Sequence, residues 1–128
     1  MTKVLLVCGK GGVFSSCRAE GHASFARKGH DIVCAAESFM LRTAVDVLEN
    51  TGGLDLQTDF SRRGFAEFSV SCCRGSEDDS LLAERLRCVA DFIRCGMESL
   101  VAEYPGNVYF QEIVEEGCSN SFDAASLK

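Results

Sequence analysis

Long apolar runs, clusters of basic residues and cysteines at C-x-x-C spacing are all missing from this 128-residue sequence, and each absence removes a class of function. The best apolar runs, Val4-Leu5-Leu6-Val7-Cys8 and residues 32–36, fall far short of the ~20 residues a membrane helix requires. No membrane partner is therefore expected. The first of these runs is also too short for a signal-peptide core and ends in Gly9-Lys10-Gly11-Gly12, which predicts a soluble, cytoplasmic protein. A net charge of −6, with lysine and arginine never gathered in numbers, disfavours nucleic acid, whose phosphates need many basic contacts. An acidic chain is better matched to a basic protein partner.

Eight cysteines invite two other readings, zinc and disulfides. No C-x-x-C pair is present to begin a zinc site. Without an export signal, and with 46% hydrophobic residues to build a core, the chain has no need of disulfide staples. Reduced thiols are expected, most of them acting as small hydrophobes, with Cys88 and Cys95 seven apart on one helix face at packing positions. No metal and no cofactor is expected.

The patterning predicts strands at 4–8 and 13–19 joined by the glycine turn, a loop over 21–31, and a helix over 32–50 closed by Asn50-Thr51-Gly52-Gly53. Alternating residues predict strands at 54–58 and 65–71. Ser76 and the acids after it then offer an N-cap to a second helix carrying Leu82, Leu86, Val89, Ile93, Met97 and Leu100. The single proline, Pro105, ends that region, and 108–114 reads as the last strand. The order β-β-α-β-β-α-β predicts an α+β domain, one mixed sheet of about five strands covered by two helices. The domain is expected over 1–117, with a flexible tail over 118–128.

Gly9-Lys10-Gly11-Gly12-Val13 resembles the opening of a deviant phosphate-binding loop. A cradle of that kind needs a further glycine, a lysine and a hydroxyl residue at the start of a helix, and Phe14 and Ser15 stand there instead. A glycine turn in a hairpin is the simpler reading.

Asp31-Ile32-Val33-Cys34 places a good N-cap residue three positions before a cysteine, at the predicted start of the first helix. Amides and the positive dipole end at a helix start favour thiolate, the nucleophilic form. His22, from the preceding loop, is a candidate base, and Ser38 lies one turn beyond Cys34 on the same face. Gly21 and Gly29 bracket the histidine loop and suggest a lid. Spacing alone leaves open a packing cysteine and a solvated histidine, and does not separate His22 from His30. Phe14, Phe25 and Phe39 suit either a substrate groove or the core.

Gly21-His22-Ala23, Gly29 and Asp31-Ile32-Val33-Cys34-Ala35-Ala36 with Ser38 together resemble the signature of the ribosomal-processing cysteine proteases called Prp. Glu103-Tyr104-Pro105-Gly106-Asn107-Val108 is similar to that family's motif before its last strand. The resemblance implies a catalytic dyad of Cys34 as nucleophile and His22 as general base and acid, with His30 facing solvent. It also implies a homodimer, and as substrate large-subunit ribosomal protein twenty-seven, from which an N-terminal extension is cut. Glu37 departs from the pattern by placing a charge where small or apolar residues are usual, and is expected at the pocket rim. A non-catalytic, dimeric, ribosome-associated module of the same fold is the alternative.

Overall fold

A computed structural model of the chain describes residues 1–21, 28–62, 64–72 and 79–115. β1 (Thr2–Cys8) and β2 (Phe14–Glu20) form an antiparallel hairpin in which Leu6 faces Cys17, with a register shift between Val7 and Cys8. The turn is a short 3-10 segment, Lys10–Gly12, in which Gly11 and Gly12 hold φ near +80°, where a Cβ is strained. Because Phe14 opens a strand hydrogen-bonded back to β1, the turn leads into no phosphate-facing helix.

α1 (Lys28–Glu49) follows, then the pair β3 (Leu54–Asp59) and β4 (Phe65–Cys72), then α2 (Asp79–Glu103) and β5 (Val108–Val114). The sheet order is β3-β4-β2-β1-β5, antiparallel throughout except for β5, which α2 returns parallel to β1. This is the expected single mixed sheet with two helices.

One sheet face and both helices share the core. Val4, Leu6 and Cys8 alternate inward from β1 beside Cys17 and Ala19 of β2, and the Phe14 and Phe68 rings stack with centroids 5.5 Å apart. From α1 come Val33, Met40, Leu41, Ala44, Val45 and Leu48, and from α2 Leu82, Leu86, Val89, Ala90, Ile93 and Met97, each set on a 3.6-residue period. Gly96 lets the helices meet: a Cβ there would overlap the Met40 sulfur. Arg94 ties α2 to β5 through paired bonds to Glu112 of 2.8 and 2.6 Å, and also reaches Asp91.

The structure corrects four expectations. α1 begins at Lys28, not Ile32, so Asp31 lies inside its first turn and cannot be its N-cap, and Gly29 is helical rather than part of a loop. The Lys-Gly-His-Asp turn carries no apolar residue, so periodicity could not register it, yet an existing helix extends at the cost of one residue per hydrogen bond. Cys88 and Cys95 do share a face of α2, but both are exposed, because a seven-residue spacing says that two residues share a face and not which face it is. Ser76 lies outside the described residues, as do 116–128, which include the predicted tail.

Candidate active site

Cys34 is the seventh residue of α1, half-buried, with its sulfur 3.7 Å from the hydroxyl oxygen of Thr2. Thr2 opens β1, is 5% exposed, and is fixed by its own amide, which donates to the carbonyl of Asn107 at 3.0 Å. Its place beside the sulfur is a tertiary one, 32 residues away in sequence, and no local pattern marked it. Two turns into the helix, Cys34 stands away from the unpaired amides at its start, so the helix-start argument for its reactivity does not hold.

Gly21 meets the same threonine from β2. A Cβ on Gly21 would come within 2.9 Å of the Thr2 hydroxyl, and the Gly21 amide donates to the Gly64 carbonyl at 2.9 Å. Gly64, at φ +75°, is pressed so closely that its own Cβ would lie 2.5 Å from the Gly21 carbonyl oxygen. This glycine pair is thus required by close backbone approach. Gly21 therefore abuts the threonine whose hydroxyl meets Cys34; His22, the next residue in the chain, lies outside the described residues, as does Phe25.

Beside this junction is a cleft of about 320 Å³. Gly21 and Ser38 line it with Glu37, Leu41 and Arg42 of α1, and Phe60, Arg62 and Phe65 close it from the β3–β4 side. Cys34 is not in the lining but is one turn along the same helix. The Arg62 and Arg42 guanidinium groups sit over the Phe65 and Phe60 rings at 4.2 and 5.6 Å. Glu37 is no rim residue: it is 7% exposed, on the core face of α1, and burial pushes its carboxyl up to about 7.

The other described thiols are placed differently. Burial, with Glu112 nearby, pushes Cys8 up to about 11, and burial together with Glu37 raises Cys17 further, so both stay protonated and inert. Phe14 belongs to the core, whereas Phe39 is 74% exposed. Among the described residues no group of three or more histidine, cysteine or acidic side chains is arranged to hold a metal ion, and no helix is long and apolar enough to cross a membrane.

The sequence model of the family described as cysteine protease Prp matches residues 1–109. The chain belongs to the cysteine protease Prp family. The Prp fold extends to solved structures at low identity. SMU.848 from Streptococcus mutans is 24% identical, with a TM-score of 0.67 over 90% of this chain and 96% of that one. The ribosomal processing protease Prp from S. aureus in complex with a substrate peptide is 17% identical, TM-score 0.69, over 88% of this chain and 99% of that one. The same S. aureus protease with a covalently linked product peptide is 19% identical, TM-score 0.63, with the same coverage. Comparison with curated proteins gives no match.

Proposed function

We propose that this Prp-family chain is a cysteine endopeptidase in which Cys34 is the nucleophile and His22 the general base and acid. The observation that carries the reading is the meeting of Cys34 and Thr2 with Gly21, the residue that precedes His22 in the chain. The Cys34 thiolate attacks the scissile carbonyl, His22 delivers the proton to the departing amine, and water then attacks the resulting thioester with His22 taking its proton. Thr2, with a hydroxyl against the sulfur, acts as a positioning residue. Ser38 and Gly21 belong to the wall of the adjoining cleft, and Asp31 and Gly29 support the site only as parts of the first turn of α1.

The substrate is a protein, in the reading we favour the N-terminal extension of large-subunit ribosomal protein twenty-seven. The S. aureus Prp complexes with substrate and product peptides support a peptide occupant. The protease domain spans 1–117 and works as a cytoplasmic homodimer without cofactor, metal, nucleic acid or membrane. The test is cleavage of peptides spanning such an extension by the wild type, Cys34→Ala and His22→Ala. Loss of cleavage in both variants is expected. Cleavage that survives both substitutions overturns the assignment to Cys34 and His22, and a wild type that cleaves none of the peptides favours the non-catalytic module.

A further inference from the structure

Glu37 has no counterpart in the catalytic scheme, and its situation is unusual. It occupies a core-facing position of α1, between Val33 and Leu41, both 1% exposed, and is itself more than nine-tenths buried. Buried carboxyls are ordinarily paired or hydrogen-bonded. No hydrogen bond or ion pair from a described residue reaches this one. Among the described residues no buried side-chain oxygen is left without a partner, and the cleft that Glu37 lines gives its carboxyl a way out of the core.

None of the described groups that face Glu37 makes a hydrogen bond or ion pair with it. β2 contributes the Cys17 thiol, which stays neutral, and Glu20. Arg42 of α1 and Arg62 of the β3–β4 connection are exposed and engaged over Phe60 and Phe65. Cys34 lies at i−3, so the Cβ atoms of the two residues are about 5–6 Å apart on the helix surface. A ligand that filled the cleft would thus bring a cation to an acid that has no ion pair among the described residues, while Leu41, Phe60 and Phe65 cover an alkyl stem.

We propose that Glu37 is a specificity-determining residue: it makes the cleft beside Cys34 a subsite for a lysine or arginine side chain of the peptide substrate. The inference rests on the protease reading and narrows its substrate to peptides with a basic residue near the scissile bond. Ionised Glu37 is the binding form, so the preference strengthens as pH rises through about 7 and fades below it.

The test is a peptide series carrying lysine or its uncharged isostere norleucine at each position flanking the scissile bond. Binding to the Cys34→Ala protein is read by fluorescence anisotropy and cleavage by the wild type as kcat/KM. At one position lysine is expected to be favoured over norleucine by about 10- to 100-fold, the range of a hydrogen bond to a charged group. In Glu37→Gln and Glu37→Val that ratio collapses towards one, with thermal melts confirming folding. The wild-type ratio falls as pH is lowered from 8 to 5, a readout that needs no variant. The proposal is overturned by an equal response to both peptides at every position, by a preference that survives both substitutions, or by a pH-independent ratio. Binding that discriminates lysine with no cleavage by the wild type would instead sink the protease reading and leave the subsite standing.

Discussion

Single atoms decide the chemistry at the Cys34 junction. Thr2 turns its hydroxyl to the Cys34 sulfur at 3.7 Å. Thr2→Val should slow iodoacetamide alkylation of Cys34 at neutral pH about fivefold, the worth of one net hydrogen bond. Thr2→Ser should restore the rate, and an unchanged melting temperature would separate the effect from unfolding. Glu37 makes a second prediction. Its folded pKa of about 7 lies above the ordinary 4.5, so the native state holds the proton more tightly than the unfolded chain does. Its ionisation therefore costs stability progressively as pH rises from about 4.5 to 7, by on the order of 3 kcal/mol in full. Urea titrations of wild type and Glu37→Gln should show the variant's relative stability growing across that window and level above it. A difference that stays constant with pH would contradict the burial that raises this group.

At the scale of elements, two glycine contacts hold the architecture. Gly64→Ala places a Cβ against the Gly21 carbonyl at a positive φ, and should destabilise the protein by more than about 1 kcal/mol. Because Gly21 abuts Thr2, the same variant should also slow Cys34 alkylation in the fraction that remains folded. Gly96→Ala forces Met40 aside where α1 crosses α2 and is expected to cost about 1–3 kcal/mol with no effect on alkylation. Denaturant midpoints and alkylation rates, measured together, distinguish the two. The hairpin, both helices and the final strand were legible from alternation and periodicity, and β5 was predicted over the same residues, 108–114. The start of α1 was not, because residues 28–31 have only polar side chains and a glycine and so carry no apolar spacing to mark a helix.

Over the whole molecule, the sheet order brings the first residues of the chain beside the seventh residue of α1. β1 sits between β2 and β5, so its first residue, Thr2, lies at one end of the sheet together with Gly21 at the end of β2. This convergence makes a site of residues that are far apart in sequence. A homodimer is the assembly expected of the intact enzyme, checked by light scattering on the eluting peak, where a monomer mass would reject it.

Short-range pattern alone determined the element order and pointed to a mixed sheet, because these depend on residue type and local spacing, and the motifs around His22 and Cys34 carried the likeness to Prp proteases. The tertiary structure decided the rest. It placed Thr2 against Cys34, made Gly21 a close-approach glycine and Gly29 a helical one, and removed Asp31 from the cap. It also moved Glu37 from the rim into the wall of the cleft. Such facts turn on which elements pack together and how closely, and no local spacing encodes that.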